Sequence, residues 1–149
     1  MLSMRHLIVA IATLLLGMGA ADAKDGRDFA GFYSVTNVTN LNDQVRATVN
    51  LQLCNYSGAD LKEAAVRLRE TFPGTAVLGT YTPIQLWRNG SDAAFSLHVT
   101  VPRDEYQRWS TRRQPNVVVV YRDDQGREWQ RAAQISRRPT VPHGYDAVQ

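Results

Sequence analysis

VRATVNLQL, residues 45–53, alternates apolar and polar side chains without a break. Val45, Ala47, Val49, Leu51 and Leu53 fall on one face, and Arg46, Thr48, Asn50 and Gln52 fall on the other, where Cys54 follows. A period of two is the spacing of a half-buried β-strand, because successive side chains of an extended chain point to opposite sides. The segment therefore predicts a strand with one buried face. Upstream, GFYSVTNV (31–38) leads into it through the polar turn Asn40-Leu41-Asn42-Asp43. Downstream, PIQLW (83–87) runs into Asn89-Gly90, a strong short hairpin signal, and out along DAAFSLHVTV (92–101), whose Ala93, Phe95, Leu97, Val99 and Val101 share a face.

The most legible hairpin is VVVVYRDDQGREWQRAAQI (117–135). Placing Asp124-Gln125-Gly126 in its loop sets Asp123 opposite Arg127, Arg122 opposite Glu128 and Tyr121 opposite Trp129. Two charge pairs and one aromatic pair thus agree on a register, each a cross-strand contact of some tenths of a kcal/mol. Four consecutive valines, Val117 to Val120, predict a central strand covered on both faces.

Two segments depart from this pattern. PRDEYQRW (102–109) has its acids early, Arg108 late and an apolar pair, Tyr106 and Trp109, at i,i+3, and predicts a short helical crossover between sheets. In ADLKEAAVRLRETF (59–72), Leu61, Ala64, Ala65, Leu68 and Phe72 match helical spacing, with Asp60 and Glu63 placed like a capping box. The same residues can be read as a strand, with Ala64, Val66 and Leu68 on one face and Arg67 and Arg69 on the other, and periodicity alone does not decide between the two.

The run VRATVNLQLCNYSGADLKEAAVRL (45–68) resembles the opening strands of bacterial secreted immunoglobulin-like and fibronectin type III-like β-sandwich domains, where an alternating strand ends in an Asn-x-Ser turn such as Asn55-Tyr56-Ser57. The likeness extends over about residues 29 to 136 and implies an all-β, immunoglobulin-like sandwich of about seven strands with one short helical crossover. It favours the strand for AAVRL and carries no functional residue across. The cysteine pair of antibody domains is missing, since Cys54 is the chain's one cysteine. Such domains mostly serve as adhesion, docking or spacer modules, an analogy of fold rather than of activity.

The first segment, MLSMRHLIVAIATLLLGMGAADA, has a basic start at Arg5, an apolar run from Leu7 to Leu16, and Ala21 and Ala23 in an Ala-x-Ala site. Residues 1–23 are therefore expected to be a signal peptide, with export to a periplasm or beyond and no membrane span once it is cleaved. Residues 24–138 are expected to form one sandwich and residues 139–149, with their two further prolines, a flexible tail. The formal charge of +3 survives cleavage, which removes Arg5 and Asp22. That excess falls well short of the basic stripe a nucleic-acid binder needs.

Beyond the leader the histidines are His98 and His143 and no zinc motif is present, so neither a metal nor another cofactor is expected. Asp123 and Asp124 in an x-D-x-G turn read as turn chemistry rather than calcium ligands. A Cys54–His98 pair is the nearest thing to an activated nucleophile. If the two strands pair with Val45 opposite Val101, His98 faces Thr48 and Cys54 lies six residues further on, roughly 20 Å away at about 3.3 Å per residue. Cys54 then remains a possible free thiol, either tucked away as a small hydrophobe or exposed and able to link chains. Arg108, Arg112 and Arg113 are candidates for meeting an acidic partner, against the plainer reading of solvated loop residues. Trp87, Trp109 and Trp129 read as packing residues, and the Asn-x-Ser/Thr sites at Asn37, Asn55 and Asn89 as turn chemistry. The expected function is an exported, non-enzymatic binding or structural module acting through surface loops or an edge strand on another envelope or extracellular protein, with oligomeric state open. The alternative is an accessory subunit or small secreted enzyme.

Overall fold

The computed structural model describes residues 28–138, so the expected signal peptide at 1–23 and the tail at 139–149 lie outside the described residues. The chain is an all-β sandwich. In order, its elements are β1 (Phe29–Leu41), β2 (Gln44–Asn55), β3 (Leu61–Arg69), β4 (Val77–Thr80), β5 (Ile84–Trp87), β6 (Asp92–Pro102), α1 (Arg103–Ser110), β7 (Asn116–Arg122), β8 (Glu128–Ala132) and β9 (Gln134–Arg137). Nine strands replace the expected seven or so. β4 and β9 are four residues each, too short for alternation to stand out in the sequence, whereas β5 is the strand read from PIQLW; it pairs with β3 rather than with β6, so the Asn89-Gly90 turn carries the chain from one sheet to the other instead of closing the expected hairpin.

One sheet has the order β6-β2-β1-β9; the other has β4-β3-β7-β8, with β5 also on β3. Thus β1, β2 and β6 face β3, β7 and β8, the partition found in immunoglobulin-like sandwiches. β2 lies between β1 and β6 and meets β6 in one unbroken antiparallel register, Gln44↔Pro102 to Cys54↔Asp92. Val45 faces Val101 and Thr48 faces His98, as the alternation requires. The inward row Val45, Ala47, Val49, Leu51 and Leu53 is buried throughout. Burying such side chains contributes about 1.5–3 kcal/mol for each larger aliphatic one.

Opposite that row the rings interlock. Phe29 lies 5.2 Å from Trp87 and 5.8 Å from Tyr121, centroid to centroid, and Phe95 lies 5.7 Å from both Trp87 and Tyr81. Tyr81 is buried and its hydroxyl donates to the Val49 carbonyl at 3.2 Å, which ties the second sheet to β2. Burial holds its phenol well above the usual range.

The ambiguous segment 59–72 contains strand β3, and one residue accounts for the ambiguity. Glu63 has a left-handed backbone, φ +53°, which interrupts the alternation. Leu61 and Ala64, three residues apart, therefore both face the core, and period two resumes at Ala64, Val66 and Leu68. The i,i+3 spacing that imitates a helix is the trace of this kink. Across from it, Ala64 pairs with Ile84 and Leu61 with Trp87, again three apart. The four valines form the middle of β7, between β3 and β8, and all four are buried. Val118 lies between Arg67 and Ala132, and Val120 between Ala65 and Gln130, so neighbouring side chains cover their outer face.

α1 is the expected crossover from β6 to β7. Glu105 in its first turn is not a solvated acid but buried, 3% exposed. Its Oε1 accepts from the Thr71 amide (2.6 Å), the Thr71 hydroxyl (2.8 Å) and Trp109 Nε1 (2.9 Å), and its Oε2 from Arg108 (2.9 Å). Desolvation pushes this carboxyl upward, yet the four donors outweigh it and hold its pKa below the usual value. The β7–β8 hairpin keeps the register read from sequence, with Tyr121↔Trp129 and Arg122↔Glu128 paired and the Asp123 amide donating to the Arg127 carbonyl at 2.9 Å.

Asn55, at the end of β2, is fully buried and fully engaged. Its Nδ2 donates to the carbonyls of Ala59 and Trp87, both at 3.0 Å, and its Oδ1 accepts from the Ser57 amide and hydroxyl. Its own amide donates to the Ser91 carbonyl, and its carbonyl accepts from the Gly90 amide. Removing a buried partner strands the groups left behind, at about 1–3 kcal/mol each. Asn55→Ala is expected to lower unfolding stability by about 3 kcal/mol in chemical denaturation, against about 1 kcal/mol or less for exposed Asn89→Ala.

Candidate functional site

The first sheet buries its inner face and leaves its outer face open. Pairing aligns the outward residues in rows across the strands: Ala30, Cys54 and Asp92; Phe32, Gln52 and Ala94; Ser34, Asn50 and Ser96; Thr36, Thr48 and His98. The last two rows are stitched by hydrogen bonds. Asn50 Nδ2 donates to the Thr36 hydroxyl (3.1 Å), the Ser96 hydroxyl donates to Asn50 Oδ1 (2.9 Å), and Thr48 Oγ1 shares a hydrogen bond with His98 Nδ1 (2.9 Å). His98 is occupied by Thr48, and Cys54 stands opposite Asp92 six residues along the strand, so the two sit where the register argument placed them.

Cys54 is buried despite facing outward. Tyr56, exposed in the following turn, hydrogen-bonds the thiol, which raises the Tyr56 phenol above its ordinary range. Around it opens a trough of about 760 Å³, bordered also by Phe32, Gln52 and Asp92.

The sheet ends differ in kind. β6 closes the first sheet at one side with 11 residues, and β2 is its partner. Between Asp92 and Pro102 it carries no Lys, Arg, Asp or Glu. β9 at the other side has four residues; in the second sheet β4 also has four, and β8 has five with Glu128 and Arg131 among them.

The arginine candidates separate. Arg108 is engaged by Glu105. Arg112 and Arg113 are exposed in the turn after α1, where Arg112 is left-handed at φ +69° and the Arg113 amide donates to the Arg108 carbonyl at 3.1 Å. Arg137, in the basic stretch ISRRP (135–139), donates to the Trp109 carbonyl at 3.2 Å, so the topology brings it close to α1 and the Arg112-Arg113 turn that follows. Trp87 and Trp109 are buried in the core, while Trp129 packs against the Arg131 and Arg127 guanidiniums at 4.8 and 5.6 Å.

Asp123 organises its own turn. Oδ1 accepts from the Gln125 and Arg127 amides, and Oδ2 from Trp129 Nε1 and Arg127 Nε, which together hold its pKa down to about 2 with the Trp129 bond leading. Of the three Asn-x-Ser/Thr asparagines, Asn55 and Asn89 brace the turns at one end of the sandwich, where Asn89 Oδ1 accepts from the Gly58 amide at 3.1 Å. Asn37 lies where the β1–β2 register shifts, at φ +52°. Among the described residues no three His, Cys, Asp or Glu side chains gather as a metal would need, and no helix is long and apolar enough to cross a membrane.

No known family model and no curated protein matches the chain. Among solved structures, it is similar to a GH20 exo β-N-acetylglucosaminidase from Vibrio harveyi, in complex with N-acetylglucosamine and as an inactive mutant. In both, the identity is 11%, the TM-score 0.45, and the match covers 78% of this chain and 19% of that one. The chain thus spans about a fifth of the length of these neighbours, and a likeness at this level carries no argument about function.

Sequence reasoning placed Cys54, His98 and the hairpin residues correctly but missed the outer-face trough. Phe32 was the available signal, an aromatic residue on the polar parity of a strand whose inward positions are Phe29 and Tyr33. With Cys54 buried beside the Tyr56 hydroxyl, a thiol-labelling time course on native protein should be slow, and Tyr56→Ala should accelerate it about tenfold with little change in stability.

Proposed function

We propose that this protein is an exported, non-enzymatic binding module that pairs its edge strand β6 with an extended segment of another envelope or extracellular protein. One observation carries the reading: β6 is a long, bulge-free strand without a charged residue along its interior, at the end of its sheet. Natural sheets blunt such edges with lysines, prolines, bulges or brevity, because a row of unpaired amides and carbonyls templates a further strand. The other sheet ends here are short, or charged in the case of β8. β6 keeps only Asp92 and Pro102 at its tips.

Strand addition needs no catalytic side chain, since main-chain hydrogen bonds supply affinity and alternate side chains supply selectivity. Eleven residues present about five outward amide–carbonyl sets, each hydrogen bond contributing about 1 kcal/mol net. The export half of the proposal rests on the features of residues 1–23.

Ala94→Lys with Thr100→Lys places two cations beside the open edge at surface-facing positions of β6. In crosslinking pull-down from native envelope, the wild type is expected to retain a partner crosslinked to β6, and the double variant to lose it. Loss instead with Arg112→Ala and Arg113→Ala would move the contact to the turn after α1, and a clean monomer with nothing captured would overturn the proposal.

A further inference from the structure

The outer-face trough adjoins the edge strand, which gives it Asp92 alone, and its chemistry differs from that of a strand edge. Phe32 is 48% exposed and Tyr56 is 59% exposed, and both rings line the same trough of about 760 Å³. Gln52, Gln134 and Gln114 line it too, brought together from β2, β9 and the turn after α1. On the far side of Phe32 a second hollow of about 340 Å³ is lined by Asn50, Gln52 and Ser96. The Phe32 ring thus borders both hollows on one open sheet face, the larger rich in amides and the smaller mixed, with Leu51, Ala94 and Phe95 beside its polar residues.

We infer that this face binds a neutral glycan, with Phe32 and Tyr56 as stacking platforms and the glutamine amides as hydroxyl partners. A pyranose ring has an apolar face of C–H bonds and a rim of hydroxyls, each both donor and acceptor. Aromatic rings match the first and carboxamides the second, since each amide presents two donors and an acceptor on a neutral group. The face carries one charge of each sign, Asp92 at the larger trough and Arg138 at the second hollow, so it has no net charge to favour an anionic chain over a neutral one. Two hollows flanking one ring suit a chain longer than a single sugar. Arg138, whose guanidinium lies 5.7 Å from the Phe32 ring centre, borders the second hollow as a further donor to hydroxyls.

The test is affinity electrophoresis of the mature protein through gels containing neutral glucan, xylan, mannan or soluble N-acetylglucosamine polymer, with sulfated and polyuronate gels as the anionic arm. Isothermal titration with the matching short oligosaccharide then gives the affinity. Retardation by at least one neutral polymer is expected. Phe32→Ala and Tyr56→Ala should each weaken binding about tenfold, a loss of about 1.4 kcal/mol, while Phe32→Tyr retains it and the exposed Leu86→Ala on β5 leaves it unchanged. Both rings are exposed, so circular dichroism should match the wild type in every variant. No retardation by any neutral polymer, retardation in anionic gels alone, or retention undiminished in both alanine variants would overturn the inference.

Discussion

The phase of β2 is the constraint on which the rest of the sandwich depends. β2 is paired on both sides, with β1 through Phe29↔Asn55 and with β6 through Gln44↔Pro102. A slip of one residue would turn Val45, Val49, Leu51 and Leu53 to solvent and bury Arg46, Asn50 and Gln52 in their place. Because β6 follows β2 without a bulge, the same phase sets which side chains of β6 meet the core and which face outward. It fixes the outer-face rows as well, so the positions of Cys54 beside Asp92 and of His98 beside Thr48 are consequences of one alternation.

The register is then locked at its end by Asn55. Its side chain bonds the β2–β3 turn at Ser57 and Ala59 and the last residue of β5 at Trp87, while its backbone exchanges hydrogen bonds with Gly90 and Ser91. Trp87 in turn meets Phe29 and Phe95, one from each outer partner of β2. A polar group satisfied at every position and a cluster of rings thus share the same corner. The opposite end is closed by α1, where Glu105 holds Thr71, Arg108 and Trp109.

Much of this was legible in the sequence, because strict alternation over nine or more residues fits an extended chain with one buried face and little else. VRATVNLQL, DAAFSLHVTV and the hairpin around Gly126 all adopt the registers their residues imply. Legibility failed where the backbone leaves the regular extended form or an element is very short. Glu63, at positive φ, disguises β3 as a possible helix, and the four residues of β4 or β9 cannot display a period. The buried role of Glu105 was not legible, because its partner Thr71 lies 34 residues away, a distance no local pattern reports. The trough was invisible for the same reason, since Phe32, Gln114 and Gln134 come from three separate segments.

Strand pairing at β6 requires that this strand satisfy its backbone on the β2 side alone and keep its other side open. Residue-resolved hydrogen exchange on the free protein reads this directly, because amides bonded in a ladder exchange slowly and outward ones do not. Between Ala93 and Val101, slow and fast amides should alternate with a period of two. Uniform protection along β6 would mean that its outer side is already covered, and uniform fast exchange would mean that the β2–β6 ladder is not formed; either result would contradict the open edge.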